Sequence, residues 1–286
     1  MSSSLPLTPD DIRSTLATKR LGRQLHLHQN LASTNSEAMS LAQQGAEDGT
    51  VVATESQTAG RGRHARTWFS PPGLNLYCSV IVRGLGEKLT LADWLSWVPL
   101  TTALAVAEAV HTVAGISLDL KWPNDLLLDD RKAGGILCES SLTGPDNPVV
   151  VIGIGLNVNM SQDLFPDELR PIAASLFEST HRPVDRNRLL AQLLQDLEES
   201  LDELRAHGPS RLLQAYQRRC TTLGWQVRVD LGGGEELLGT AVAITADGAL
   251  QVSPSADAAG MGKPLVEVRA GDVIHVRRWR NGRNTK

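Results

Sequence analysis

The apolar positions of this 286-residue chain change period several times, and each change predicts an element. Gln24 to Gln29 alternates and reads as a strand. Thr34-x-x-Glu37 has capping-box spacing and opens an alanine-rich helix that Gly45 ends. Thr50 to Thr54 and Asn75 to Val82 read as buried strands. Glu55 to Pro72 between them, rich in glycine, arginine and proline, is a loop. A long helix is expected from about Leu91 to Val113, with Gly115 as its stop. Ile116 to Trp122 puts Ile116, Leu118, Leu120 and Trp122 on one strand face and Ser117, Asp119 and Lys121 on the other. Asp125 to Glu139 reads as a hairpin folded at Asp129-Asp130-Arg131. Val149 to Asn159 is a glycine-containing strand. Asp185 caps a helix with a leucine stripe from Leu189 to Leu204, and a second helix runs to about Arg219.

After Cys220 the pattern shortens. Trp225–Leu231, Leu237–Ile244, Ala249–Val252, Leu265–Val268 and Val273–Val276 read as strands, with turns at Gly232-Gly233-Gly234 and Asp247-Gly248. Five short strands suit a small barrel, which sets a boundary near 222. The expected division is a polar lead-in at 1–23, a larger α/β (α+β) unit at 24–221, a barrel at 222–280 and a polar tail at 281–286.

Composition adds limits. With 41% hydrophobic and 21% charged residues the chain affords a packed core. A net charge of -4 gives no general reason to expect a nucleic-acid partner. No apolar run reads as a membrane span, since even Leu100 to Val110 is interrupted by Glu108, and the N-terminus lacks a signal-peptide pattern. Cys78, Cys138 and Cys220 lie far apart and read as buried small hydrophobes rather than a disulfide or zinc framework. A cytoplasmic protein without membrane or nucleic-acid partners is the expectation; oligomeric state is left open.

Chemistry concentrates in three places. Gly60-Arg61-Gly62-Arg63-His64-Ala65-Arg66-Thr67-Trp68 puts three arginines on a bendable backbone, and the guanidinium fork suits phosphate. Taken alone, it reads equally as a solvated basic loop or a nucleic-acid contact. Lys121-Trp122-Pro123-Asn124-Asp125 is followed by Lys132-Ala133-Gly134-Gly135. A two-residue hairpin turn faces Asp125 and Lys132 the same way, with Cβ atoms about 5 to 8 Å apart. They form either a structural ion pair or a site in which Lys132 meets a carboxylate or α-phosphate while Asp125 orients it or helps hold magnesium. In the third place, Gly153, Gly155, Asn157 and Asn159 share a strand face that takes either a flat ligand or a closely packed helix. The chain has no G-x-x-x-x-G-K-[ST], no G-x-G-x-x-G before a helix and no H-E-x-x-H; His26-x-His28 lacks further candidate ligands for a metal.

Together these motifs resemble the biotin–protein ligase family. Ser33-Thr34-Asn35, Gln57, GRGRxxRxW from Gly60, SPPGLNLY from Ser70, KWPND from Lys121, RKAGGIL from Arg131 and GIGLNVN from Gly153 stand in family order over about 25–280. The resemblance implies a catalytic domain like class II aminoacyl-tRNA synthetases, with a mixed sheet and helices, and an SH3-like barrel. The implied reaction uses ATP and Mg2+ to make biotinyl-5′-adenylate, then transfers biotin to a lysine of biotin carboxyl carrier protein, the carrier of acetyl-CoA carboxylase. It assigns biotin to Ser33, Thr34, Asn35, Gln57, Gly60, Arg61, Gly62, Arg63, Lys132, Gly134 and Gly153. ATP or the adenylate falls to Arg61, Arg63, His64, Arg66, Trp68, Asn124, Lys132 and Asn157. Lys132, Arg63 and Asp125 are implied catalytic residues, and Asp125 the magnesium ligand. His64 and Ala65 stand where the family often has an arginine–glycine pair, giving less permanent charge and a stiffer backbone. About 24 residues before the first strand are too few for a winged helix-turn-helix, so a repressor role is not expected. A lipoate–protein ligase is the nearest alternative and a nucleic-acid-binding module a more distant one.

Overall fold

The computed structural model describes residues 5–84, 90–142, 148–232, 234–255, 264–269 and 272–278. The expected polar tail, and Gly233 of the triple-glycine turn, lie outside them. In chain order the larger unit contains α1 (Pro9–Thr15), β1 (Leu25–His28), α2 (Thr34–Gln43), β2 (Val51–Thr54), β3 (Leu76–Val82), α3 (Leu91–Ala114), β4 (Asp119–Lys121), β5 (Asp125–Leu128), β6 (Arg131–Leu142), β7 (Pro148–Leu156), α4 (Leu176–Thr180), α5 (Arg186–His207) and α6 (Ser210–Arg219). Its seven strands form one mixed sheet in the order β1-β2-β3-β7-β6-β5-β4. The β1–β2 pair is parallel and every other pair antiparallel.

One sheet face is covered by α3 and α5, whose leucine stripe, Leu189 through Leu204, is buried. Helix α3 is long and apolar enough to cross a membrane by length and composition, which the broken Leu100–Val110 run did not suggest; it is packed as the core helix. On the opposite face α2 covers only part of the sheet, where Ala38 and Ala42 meet Val52, Ile81, Val149 and Val151. Beyond the N-terminus of α2 the sheet carries Gly135, Gly153 and Gly155, so a hollow is left instead of a packed layer.

Several elements differ from expectation. Thr34 is the first helical residue of α2 and Ser33 its cap; the Thr34 hydroxyl accepts from Ser79 Oγ at 2.8 Å and donates to Gln57 Oε1 at 3.3 Å. The alternation in 116–122 reports burial rather than a full ladder: Ile116, Leu118, Leu120 and Trp122 are buried, but only Asp119–Lys121 pairs with β5. The polar lead-in contains α1, capped by Thr8, and buries Leu7, Ile12 and Leu21. Two acids far along the chain hold it. Glu198 accepts from the backbone N–H groups of Lys19, Arg20 and Leu21 at 2.7–2.8 Å. Glu55 accepts from Leu7 N at 2.7 Å and pairs with the buried Arg186, also at 2.7 Å.

The C-terminal unit is a five-stranded antiparallel sheet, β8 (Trp225–Gly232), β9 (Glu235–Ile244), β10 (Leu250–Pro254), β11 (Val266–Val268) and β12 (Asp272–Arg278), in the order β11-β10-β9-β8-β12. Its 245–249 turn docks on the larger unit. The indoles of Trp97 and Trp122, both buried, donate to Ala246 O at 3.1 Å and Gly248 O at 3.0 Å.

Candidate active site

The hollow is a cavity of about 260 Å³ whose walls come from four parts of the chain. The floor is glycine for a steric reason. A Cβ at Gly153 would lie 2.1 Å from Asn35 Oδ1, and one at Gly155 would lie 2.7 Å from the Trp68 ring. The N-terminus of α2 supplies Ser33, Thr34 and Asn35. Asn35 is held on all sides: Ser79 Oγ donates to its Oδ1 at 2.6 Å, and its Nδ2 donates to Leu137 O at 3.1 Å and Glu139 Oε2 at 2.7 Å. Gln57 accepts from Thr34 N at 2.9 Å and donates to Ser70 Oγ at 3.0 Å.

The roof is the arginine–glycine loop, which folds back on itself as a narrow hairpin. Trp68 N donates to Gly60 O at 2.9 Å and Gly62 N to Arg66 O at 2.7 Å, with a 3-10 turn, Arg63–Ala65, at the tip. His64 and Ala65 both occupy the left-handed region, φ 53° and 57°. Glycine adopts that conformation freely, and alanine does not. Trp68 lies across Gly155 and Gly135, and its Nε1 has no hydrogen-bond partner among the described residues.

At the far end the β5–β6 hairpin turns at Asp129-Asp130, both left-handed as a two-residue turn of this hand requires. A bulge shifts the register, so that Leu127 faces Lys132 while Asp125 faces Gly135. The side chains still meet, Lys132 Nζ lying 2.5 Å from Asp125 Oδ1 and 5.5 Å from the Trp68 ring centroid. The lysine is over one-third exposed, which leaves its ammonium open to a ligand. Its backbone is clamped by Ile172 O and Ala174 N, and Asn157 Nδ2 bonds Ala174 O at 3.0 Å. Asn124 accepts from Arg63 Nη1 at 3.1 Å and donates to Ile136 O at 2.9 Å, so it links roof to floor.

The cavity therefore gathers Ser33, Thr34, Asn35, Gln57, Arg61, Gly62, Arg63, Arg66, Trp68, Asn124, Asp125, Lys132, Gly153 and Asn157. Asn159, expected on the ligand face, lies past the end of β7 with its amide bonded to the backbone of Val184, and three residues assigned to the site also fall outside the lining. His64 sits exposed at the hairpin tip. Gly60 permits the approach of Trp68 O, 2.6 Å from where its Cβ would be. Gly134 faces away, against Leu126 and Leu156, because neighbours in a strand alternate and Gly135 takes the cavity side. The sequence alone did not give this: alternation from Lys132 would put Gly134 on its face, and only the bulge opposite Leu126 and Leu127 brings Lys132 and Gly135 to one side. Phe165, Leu169, Ile172 and Ala173, which wall the Lys132 end, carried no motif.

Against known proteins, residues 28–159 match the biotin/lipoate A/B protein ligase family model, and residues 222–276 match the biotin protein ligase C-terminal domain. The chain is 36% identical over 277 residues to a biotin–[acetyl-CoA-carboxylase] ligase of Mycobacterium tuberculosis, spanning 95% of this chain and 97% of that one. The chain belongs to the biotin protein ligase family. The bifunctional ligase/repressor BirA of Bacillus subtilis is 34% identical over 244 residues, 85% of this chain and 74% of the relative. A biotin protein ligase from Aquifex aeolicus, solved in complex with biotin and ATP, superposes with TM-score 0.72 at 27% identity, covering 89% of this chain and 99% of that one. The family's mixed sheet with a C-terminal β domain is the architecture described above.

Proposed function

We propose that the chain joins biotin to ATP as biotinyl-5′-adenylate and then passes biotin to a lysine of a carrier protein, the biotin carboxyl carrier of acetyl-CoA carboxylase. The observation that carries this is the placement of Lys132, charged and open to the cavity, between a glycine floor and a roof of arginines. The amides of α2's N-terminus and Gln57 take the polar ring of biotin, and its carboxylate reaches Lys132. A carboxylate oxygen attacks the α-phosphorus of ATP, and the bond to the bridging oxygen breaks to release pyrophosphate. Phosphoryl transfer needs positioned positive charge more than covalent help, and Arg61, Arg63, Arg66 and Lys132 supply it. In the second step the carrier's neutral amine attacks the carbonyl carbon, AMP leaves with the bonding electrons, and the amine loses a proton.

Asp125 is the carboxylate among the described lining residues, and one carboxylate beside nucleotide phosphates suits magnesium. The ion would neutralise phosphate charge there, with Asp125 as its protein ligand. Pyrophosphate release with ATP plus biotin, lipoate or no acid tests the reading. Release that depends on biotin supports it; release with lipoate alone, or with neither acid, overturns it.

A further inference from the structure

Glu139 lies outside the cavity lining and carries none of the motifs above, yet separately folded pieces converge on its carboxylate. It stands on β6 in the face shared by Gly135 and Leu137, opposite Val151. Its Oε2 accepts from Asn35 Nδ2 at 2.7 Å and from Arg61 Nη2 at 2.8 Å. One oxygen thus joins the floor of the site, the first turn of α2 and the arginine hairpin.

Two consequences follow from the donor inventory. Both hydrogens of the Asn35 amide are spent, on Glu139 and Leu137 O, while Ser79 takes one side of its oxygen. Asn35 therefore presents only an acceptor to whatever lies against it. Arg61, in turn, is the side chain by which the roof grips the strand at the α2 end; at the other end Arg63 grips Asn124. A charge-assisted bond in a partly exposed setting is strong enough to bias a loop and weak enough to open.

We propose that Glu139 is a positioning residue that latches the arginine hairpin shut through Arg61 and fixes Asn35 as an acceptor for a ligand N–H. The ligand, biotin, rests on the function proposed above; the latch does not.

Trypsin digestion of the full chain without ligands, followed by mass spectrometry, reads cleavage after Arg63 and Arg66. Glu139→Gln is expected to speed it about fivefold, because cleavage tracks the open population. The biotin KM should rise by a similar factor with kcat little changed, and Glu139→Asp should restore part of both. Arg61→Gln leaves the Asn35–Glu139 bond in place and guards against a folding defect in the first variant. It should speed the same cleavages equally, and the double variant should add nothing further. Unchanged cleavage in either single variant, or additive effects in the double, overturns the latch. Failure of the wild type to release pyrophosphate with biotin would instead overturn the proposed function and leave the cleavage result standing.

Discussion

Gly153→Ala tests the floor of the site most directly. The new Cβ would lie 2.1 Å from Asn35 Oδ1, 2.8 Å from its Cγ and 2.9 Å from its Nδ2. Asn35 must retreat by more than about 1 Å to restore ordinary van der Waals separation. That retreat disrupts the bonds to Ser79, Leu137 O and Glu139, at 2.6, 3.1 and 2.7 Å. Two neutral bonds and one to a charged group set the scale, about 0.5–1.5 kcal/mol each for the former and 1.5–3 for the latter. The lower end applies, since Glu139 keeps access to solvent, and the expected loss of unfolding free energy is about 3 kcal/mol. Loss of a ligand hydrogen bond at Asn35 should raise the biotin Kd about tenfold, or 1.4 kcal/mol. Urea unfolding and titration calorimetry measure the two quantities. Gly62→Ala is the control: its Cβ would meet only Arg66 atoms at 3.5 and 3.7 Å, and stability should shift by less than about 1 kcal/mol. A Gly153→Ala protein whose stability matches the control's and whose biotin affinity matches the wild type's would refute the steric argument.

Three other outcomes are expected. Lys132→Ala should abolish adenylate formation with circular dichroism unchanged, since the side chain faces the cavity; wild-type activation rates would remove the lysine from the chemistry. Arg63→Ala loses the bond to Asn124 and should let the adenylate escape, seen as biotin on bystander lysines and a shorter intermediate lifetime. Burial pushes the Glu198 carboxyl up, but the N–H groups of Lys19, Leu21 and Arg20, with the Arg20 charge, outweigh it and hold the pKa below 4.5. Its contribution to stability is present above that ordinary value and lost as the pH falls through the lower folded one. Glu198→Gln should therefore be destabilising at neutral pH, with the gap to wild type closing in acid; a gap independent of pH would contradict this.

The glycine face of β7 was legible because period two forces Gly153 and Gly155 to one side, and the floor stands there. The meeting of Asp125 with Lys132 was legible from the hairpin, although a bulge changes which residues oppose them. Glu139 was not. Its partners lie 104 and 78 residues away, and nothing local marks a strand glutamate as shared. Helix α1 was legible from Thr8, Pro9, Asp10 and Asp11, a local helix start that was passed over; only the docking of the lead-in on Glu198 and Glu55, 177 and 48 residues from Leu21 and Leu7, had no local sign. Thr34 does open α2, as its spacing from Glu37 suggested, but that spacing cannot reveal that Ser79 and Gln57 take its hydroxyl and leave Ser33 as the cap.

The turn that receives the Trp97 and Trp122 indoles bears on motion. If the small sheet swung away, both indoles would exchange their carbonyl partners for water, at about 0.5–1.5 kcal/mol apiece, and buried ring surface would be exposed. Trp122 leads directly into Asn124 and Asp125, so such a swing would also drag on the corner that must hold still during chemistry. The two units should therefore melt in one calorimetric transition. With the small sheet so anchored, the arginine hairpin over the cavity is the wall whose opening would admit small molecules.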